Sequence, residues 1–124
     1  MENAKRVLFI EDEDELVNLV KMRLGNAGYN VISAFDGLEG LQKARREKPD
    51  IILLDIVLPK KDGLEVCKAL KNDPLTSEIP ILVVTASGVA ELPQKCREAG
   101  AQDFIYKPFE AQELLVRISK LLSV

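Results

Sequence analysis

Short apolar runs alternate with longer segments in which apolar residues recur every three or four positions. Four runs are almost entirely apolar and rich in β-formers: Val7–Ile10, Ile51–Leu54, Ile81–Val84 and, more weakly, Phe104–Tyr106. A fifth, Val31–Phe35, alternates more and is expected at a sheet edge. Strands that are apolar on both faces are typical of a parallel sheet covered by helices on both sides.

The segments after these runs predict five helices, each with an apolar stripe at helical spacing. The stripes of the first two include Leu19 and Leu38, which we expect to face inward. Pro93 is tolerated only in a first turn, so the fourth helix is expected to begin near Leu92. The first helix is predicted after the N-cap Asp14 and up to Gly28, and the second from Asp36-Gly37 to a stop at Pro49. A shorter third helix follows Asp62-Gly63 and carries Leu70, the fourth runs from near Leu92 to Gly100, and the last from about Glu110 to Leu122.

Five strand–helix units predict an α/β fold, a three-layer (βα)5 doubly wound sandwich of flavodoxin-like topology. We expect one parallel five-stranded sheet in the order 2-1-3-4-5. The 124 residues suit a single domain over 1–124. A net charge of −3 gives no reason to expect nucleic-acid binding, and no apolar stretch approaches the length of a membrane span. Cys67 and Cys96 are expected as reduced residues on helix core faces, and we expect a cytoplasmic protein.

Acidic residues follow two strands that this order makes neighbours. Glu11 and Asp12 come directly after the first strand, and Asp55 comes directly after the third. The carboxyl ends of parallel strands meet at one sheet edge, so these carboxylates should converge there. Converging carboxylates repel one another unless a cation lies among them, and hard oxygen ligands favour Mg²⁺.

A hydroxyl and an amine stand at the carboxyl ends of two further strands. Thr85 ends the fourth strand and Lys107 follows the fifth. Taken singly, each of these residues has an ordinary explanation as a helix cap, a β-former or a surface charge. Together they bring complementary groups from four strands to one edge, which indicates a functional site.

Five short motifs stand in this order along the chain. They are Glu11-Asp12-Glu13, Asp55-Ile-Val-Leu-Pro59, Asp62-Gly63, Thr85-Ala86 and Lys107-Pro108-Phe109. At this spacing the chain resembles a response regulator receiver domain of two-component signalling, similar to the chemotaxis receivers, over nearly all its residues.

The resemblance implies that Asp55 accepts a phosphoryl group from a sensor histidine kinase or a phosphotransfer protein. It also implies that Mg²⁺, with Mn²⁺ as a substitute, is held by Glu11, Asp12, Asp55 and the backbone carbonyl of Val57. Thr85 and Lys107 would then bind phosphoryl oxygens. Such a protein is a switch that catalyses its own phosphoryl transfer and autodephosphorylation, and we do not expect an enzyme with a separate substrate.

The resemblance further implies a conformational switch and a control of phosphate lifetime. Thr85 would move towards the phosphoryl group and make room for Phe104, the family's switch aromatic. Val57 and Ser87, two residues beyond Asp55 and Thr85, would flank the path of the hydrolysing water. Because apolar Val57 cannot orient water, we expect slow autodephosphorylation.

Output is implied at the face made by the fourth helix, the fifth strand and the fifth helix. There, Asp103, Glu113 and Arg117 resemble charged residues that pair across receiver dimers. The expected partners are therefore a downstream protein or a covalently linked effector domain, and a second copy in a phosphorylation-dependent homodimer. No direct contact with nucleic acid or membrane is expected.

Two other function classes stay open. A small Mg²⁺-dependent phosphatase with an aspartyl-phosphate intermediate would also use Asp55, but Val57 stands where such an enzyme would carry a second Asp. A flavin- or nucleotide-binding module could share the topology, but acids rather than a Gly-rich phosphate loop follow the first strand.

Overall fold

The predicted strand–helix alternation is observed in the computed structural model, which describes residues 4–59, 62–86, 88 and 90–123. The observed strands begin and end within about a residue of the predicted ones. The strands are β1 (Arg6–Ile10), β2 (Asn30–Ala34), β3 (Ile51–Leu54), β4 (Ile81–Thr85) and β5 (Asp103–Tyr106). The helices are α1 (Asp14–Asn26), α2 (Gly37–Glu47), α3 (Gly63–Asn72), α4 (Leu92–Glu98) and α5 (Ala111–Leu122).

Within the described residues, the strands form one sheet in the order β2-β1-β3-β4-β5, and every neighbouring pair is parallel. Two apolar layers cover it. One contains residues of α1 and α5 such as Leu24 and Ile118, and the other contains residues of α2, α3 and α4 such as Ala44 and Leu70. The predicted three-layer doubly wound sandwich is thus confirmed, and β3 and β4 are buried on both faces.

The register of β1 and β3 brings their carboxyl ends level. Ile10 lies opposite Leu54, and the amide of Asp55 donates a hydrogen bond of 3.1 Å to the carbonyl of Ile10. On the other side of β1, the amide of Glu11 donates to the carbonyl of Ala34 at 2.9 Å. Glu11 and Asp55 therefore leave the sheet side by side, at the point where the strand order reverses.

Two predicted inward positions are wrong. Leu38 is 52% exposed and Leu19 is 45% exposed. In α2 the reason is Gly40, where an added Cβ would lie 2.6 Å from Cδ1 of Ile10. This close approach turns the side of α2 that carries Gly40 and Ala44 towards the sheet, and Leu38 points away from it.

The fourth helix begins at Leu92 with Pro93 in its first turn, as predicted. It is bounded by two residues in the left-handed region, Glu91 with φ of 61° and Gly100 with φ of +107°. An added Cβ at Gly100 would lie 2.5 Å from Cγ of Lys71. The α4 helix is consequently short and has fixed limits at both ends.

Cys67 and Cys96 are buried, and the described part of the chain holds both as free thiols. Burial raises the pKa of the Cys67 thiol to about 11, so the thiol stays protonated at neutral pH. Among the described residues, we find no helix with both the length and the apolar character needed to cross a membrane.

Candidate phosphoryl and metal site

Three carboxylates converge at the carboxyl edge of the sheet. One oxygen from each of Glu11, Asp12 and Asp55 can be chosen so that all three lie within 4.8 Å of one another. Glu11 and Asp55 are only 2% and 5% exposed, while Asp12 is exposed to solvent. Two buried acids and one exposed acid thus face a common point.

The burial and crowding of these acids raise the pKa of Glu11. Burial raises this pKa from 4.5 to about 7, and the neighbouring charge of Asp55 acts in the same direction. A hydrogen bond from Lys107 opposes both effects but does not cancel them. The free site is therefore short of positive charge.

Lys107 supplies the positive charge that the described site contains. Its Nζ lies 2.7 Å from Oε1 of Glu11 and 3.0 Å from Oδ2 of Asp55. Burial alone would lower the pKa of Lys107, but its hydrogen bonds to the two carboxylates outweigh burial and raise that pKa above its usual value. The peptide bond between Lys107 and Pro108 is cis, and the Lys107 amide donates to the carbonyl of Thr85 at 2.9 Å. The end of β5 is thereby tied to the end of β4.

Thr85 is fully buried at the carboxyl end of β4, the strand next to β3. Its side chain points to the same face of the sheet as Tyr106, its register partner on β5. The structure therefore brings Thr85 to the edge that carries the acids and Lys107, as the sequence predicts.

The loop after Asp55 stays close to the carboxylate. The amide of Val57 donates to Oδ1 of Asp55 at 3.1 Å, and the Val57 side chain is 64% exposed. Gly63 closes this loop by donating its amide to the carbonyl of Ile56 at 3.0 Å. An added Cβ at Gly63 would lie 2.4 Å from Cα of Ile56 and 2.7 Å from the carbonyl oxygen of Asp55. Only a glycine permits this approach.

The predicted switch aromatic lies on the α4 side of β5. Phe104 is half-buried against the apolar layer of α3 and α4. Its ring meets that of Tyr106 edge-on, with the centroids 4.6 Å apart. Tyr106 itself is 54% exposed. Ser87, the second predicted lifetime residue, lies outside the described residues.

The three predicted interface charges pair with one another inside the chain. Nη1 of Arg117 lies 2.9 Å from Oδ1 of Asp103 and 2.9 Å from the carbonyl oxygen of Phe104. Nη2 of Arg117 lies 3.5 Å from Glu113, one helical turn earlier. The cluster therefore fastens α5 to β5.

Sequence reasoning missed one contact at the site, the ion pair between Lys107 and Glu11. The side chain of Glu11 is one methylene longer than that of an aspartate. The structure shows that this longer side chain reaches the ammonium group of Lys107, while its Oε2 accepts the amide of Glu13 at 3.1 Å. The surplus of acids over bases at one edge of the predicted sheet was the sequence feature that could have indicated this ion pair.

The donor set fits a hard divalent cation. Carboxylate oxygens from Glu11, Asp12 and Asp55 are the ligands that Mg²⁺ prefers, and the exposure of Asp12 leaves room for water ligands. No sulfur or imidazole ligand stands among the three, so a softer metal is not favoured.

Comparison with known proteins identifies the family to which the chain is similar. The family model described as "Response regulator receiver domain" matches residues 7–119. The chain is 43% identical over 118 residues to the alkaline phosphatase synthesis transcriptional regulatory protein PhoP of Bacillus subtilis, covering 95% of this chain and 48% of that protein. It is 41% identical over 117 residues to the DNA-binding dual master transcriptional regulator RpaA of a Synechocystis strain, covering 94% and 48%. The chain thus spans about half the length of these curated relatives.

Solved structures agree in fold. The BeF3-activated N-terminal receiver domain of Klebsiella pneumoniae RstA matches with a TM-score of 0.90 and 32% identity, covering 97% of this chain and 100% of that one. The chemotaxis protein CheY4 of Vibrio cholerae matches with a TM-score of 0.90 and 32% identity, covering 96% and 99%.

Proposed function

The chain belongs to the response regulator receiver domain family, and we propose that Asp55 is the residue on which it accepts a phosphoryl group. One observation carries the assignment. Asp55 is a buried carboxylate at a strand end, bracketed by the acids Glu11 and Asp12 on one side and by the ammonium of Lys107 on the other. Glu11 lies among the same groups, and we favour Asp55 because it follows the third strand, where the family carries its phosphoacceptor.

The transfer itself requires little from the protein beyond positioning and charge. A carboxylate oxygen of Asp55 attacks the phosphorus of a phosphohistidine, the P–N bond breaks, and the imidazole leaves with its electron pair. The amide of Val57 holds one Asp55 oxygen at 3.1 Å, which fixes the plane of the carboxylate. Lys107 and Thr85 then bind oxygens of the transferred group.

We assign Mg²⁺, replaceable by Mn²⁺, to Glu11, Asp12, Asp55 and the backbone carbonyl of Val57. When bound, the ion supplies the positive charge that lets the acids and the phosphoryl oxygens approach one another. The exposed carboxylate of Asp12 can reorient towards a cation at little cost, which makes it the firmer direct ligand.

The signal passes from Thr85 to Phe104. A phosphoryl group adds nearly two negative charges at Asp55, and the Thr85 hydroxyl moves to donate to it. Thr85 and Phe104 lie on the same face of neighbouring strands, since Phe104 pairs with Val83, two residues before Thr85. Movement of Thr85 therefore opens space for the Phe104 ring, and the face of α4, β5 and α5 changes shape.

The partners follow from this chemistry. A sensor histidine kinase or a phosphotransfer protein supplies the phosphoryl group. The relatives are about twice as long, so output passes to a linked effector domain or to a separate protein. A phosphorylation-dependent homodimer would use Asp103, Glu113 and Arg117 once their contacts within the chain are exchanged for contacts between copies.

We propose that residues 1–124 form one receiver domain that works in the cytoplasm, where its two buried free thiols stay reduced. It acts as a switch and turns over no separate substrate. The alternative of a small aspartyl-phosphate phosphatase gains no support from the comparisons, which give transcriptional regulators. The chain also lacks the second Asp that such an enzyme would carry, because Val57 occupies that position.

The test is phosphorylation by acetyl phosphate with and without Mg²⁺, followed by intact mass and by alkaline lability of the product. We expect one base-labile phosphoryl group per chain that requires Mg²⁺ and is lost in Asp55→Asn. Asp14→Asn, which removes an exposed carboxylate from the same acidic run, is the matched control and should incorporate normally. Incorporation that survives in Asp55→Asn, or none at all with Mg²⁺ present, refutes the assignment.

A further inference from the structure

A cleft lies between the loop after β3 and the helix α4, on the face of the sheet away from α1 and α5. Its volume is about 410 Å³. Five apolar side chains line it: Ile56, Val57 and Leu58 of the loop, Leu64 of α3 and Leu92 of α4. Clefts of roughly 300–1,000 Å³ with mainly apolar walls are typical of small-molecule sites. We name this one the β3–α4 cleft.

Hydrogen bonds hold the walls of the β3–α4 cleft in place. The amide of Gly63 donates to the carbonyl of Ile56 at 3.0 Å, and the amide of Leu64 donates to Oδ1 of Asp62 at 2.8 Å. Leu92 is only 2% exposed and packs in the same apolar layer as Ile56. The walls are therefore formed before a ligand binds, and binding requires little ordering of the chain.

Two charged residues complete the lining, and they differ in whether their charge is already used. Asp62 caps α3, so its carboxylate interacts with the Leu64 amide and with the positive end of that helix. Lys95 lies one turn after Leu92 on the same side of α4, and it is exposed. Within the described parts of the chain, the Lys95 ammonium makes neither a hydrogen bond nor an ion pair. The cleft thus combines apolar walls with one unpaired cation.

We propose that the β3–α4 cleft binds a small molecule with an apolar body and a single carboxylate, such as an aryl or medium-chain alkyl carboxylic acid. The apolar body lies against Ile56, Leu64 and Leu92. The carboxylate pairs with the ammonium of Lys95. Because Lys95 is exposed, the carboxylate keeps its contact with water, and no unpaired charge is buried.

The surroundings of the cleft favour a small ligand over a protein. Every exposed residue of α3 and α4 is polar or charged, among them Glu65 and Lys68 on α3 and Arg97 and Glu98 on α4. The core of a protein interface is depleted of charged residues, and a stable interface buries about 800 Å² on each partner. The apolar surface of these helices is confined to the cleft, which a compact molecule can fill by itself.

A ligand in the cleft would contact both the phosphoryl site and the output face, a consequence that rests on the proposed function. Val57 lines the cleft, and its amide holds Oδ1 of Asp55 at 3.1 Å. Leu92 and Lys95 belong to α4, which is part of the output face. A ligand that contacts both elements is expected to bind the phosphorylated and unphosphorylated chains with different affinities. Its binding would then bias the switch.

The first experiment titrates the unphosphorylated chain with naphthoate and, as a matched neutral ligand, with naphthamide. Methyl NMR signals report the binding site residue by residue. We expect saturable shifts at Leu64 and Leu92, with a dissociation constant at or below about 1 mM for naphthoate. Naphthamide should bind at least about threefold more weakly, because it cannot pair with Lys95. Absence of saturable shifts at these two leucines, or shifts confined to other parts of the chain, overturns the proposal.

The second experiment separates the charge from the apolar walls. Lys95→Gln should weaken naphthoate by about threefold or more and leave naphthamide unchanged, and Lys21→Gln, at an exposed lysine of α1, is its control. Leu64→Ser should weaken both ligands at least about fivefold, because it removes apolar contact. Leu38→Ser, at a leucine of α2 that is 52% exposed, should weaken neither.

Circular dichroism confirms that each of these variants is folded. If naphthoate and naphthamide bind equally well and Lys95→Gln has no effect, the cleft is suited to an apolar side chain of a protein partner, and the proposal fails.

The third experiment measures the coupling to Asp55. Naphthoate affinity is compared with and without beryllium fluoride, a stable mimic of the phosphoryl group, with Mg²⁺ present in both samples. We expect the dissociation constant to change by at least about threefold, and equal constants would overturn the coupling. Binding to the unphosphorylated chain does not require Asp55, whereas incorporation from acetyl phosphate does. Failure of the ligand site and failure of the phosphoacceptor assignment are therefore distinguishable.

Discussion

Lys107 and Glu11 form a partly buried ion pair, with Nζ of Lys107 2.7 Å from Oε1 of Glu11, and the same ammonium lies 3.0 Å from Oδ2 of Asp55. The lysine thus supplies part of the positive charge that a metal ion would otherwise supply. A divalent cation entering this site has to compete with a resident ammonium group, which gives Lys107 a role before any phosphoryl group arrives.

Removing this competitor should strengthen Mg²⁺ binding. In Lys107→Met, we expect the Mg²⁺ dissociation constant of the unphosphorylated chain to fall by about tenfold, equivalent to about 1.4 kcal/mol. Titration calorimetry measures it, and Lys21→Met on the exposed side of α1 is the control for loss of a surface charge. An unchanged or weaker Mg²⁺ affinity in Lys107→Met would show that the ammonium does not compete.

The contribution of Glu11 to the stability of the metal-free chain should decline as the pH rises from about 4.5 to about 7. The pKa of Glu11 is higher in the folded chain than in the unfolded chain, so the folded state binds the proton more tightly and is favoured at the acidic end of this range. Denaturation with a chelator present, at several pH values, measures the slope. In Glu11→Gln the slope should become shallower, and an unchanged slope would assign it to other groups.

The close approach at Gly63 should make this residue costly to replace. Gly63→Ala places a Cβ within 2.4 Å of backbone atoms, and we expect a loss of about 1–3 kcal/mol in the free energy of unfolding. Gly25→Ala is the control, because nothing lies within 4 Å of its added Cβ and its position in α1 favours alanine by roughly 0.5–1 kcal/mol. Equal free energies of unfolding for Gly63→Ala and Gly25→Ala would contradict the crowding at Gly63.

The exposed Val57 side chain should slow hydrolysis of the aspartyl phosphate. Val57→Asn provides a side chain that can orient an attacking water, and we expect phosphate loss to accelerate by several-fold. Val116→Asn, at a similarly exposed valine on α5, should decay at the parental rate. The measurement follows the decay of the phosphorylated species after removal of acetyl phosphate. Equal decay rates in Val57→Asn and in the parent chain would refute this role of Val57.

Much of the fold and the site was predictable because strand order determines which loops meet. Once β1 and β3 are neighbours, Glu11 and Asp55 must lie together, whatever their side chains do. The inward face of α2 was not predictable from its leucines, because the contact between Gly40 and Ile10 sets its rotation. The partners of Lys107 likewise depend on side-chain reach across loops, which spacing along the chain does not encode.

The two left-handed residues that bound α4 have a consequence for how a signal can leave the protein. Adding a turn at the C-terminal end would require Gly100 to abandon φ of +107°, and with it the bend that leads the chain into β5. The α4 helix therefore has a fixed length, and it can shift or tilt only as a rigid body. A binding partner on this face would detect the orientation of α4 and not a change in the length of the helix.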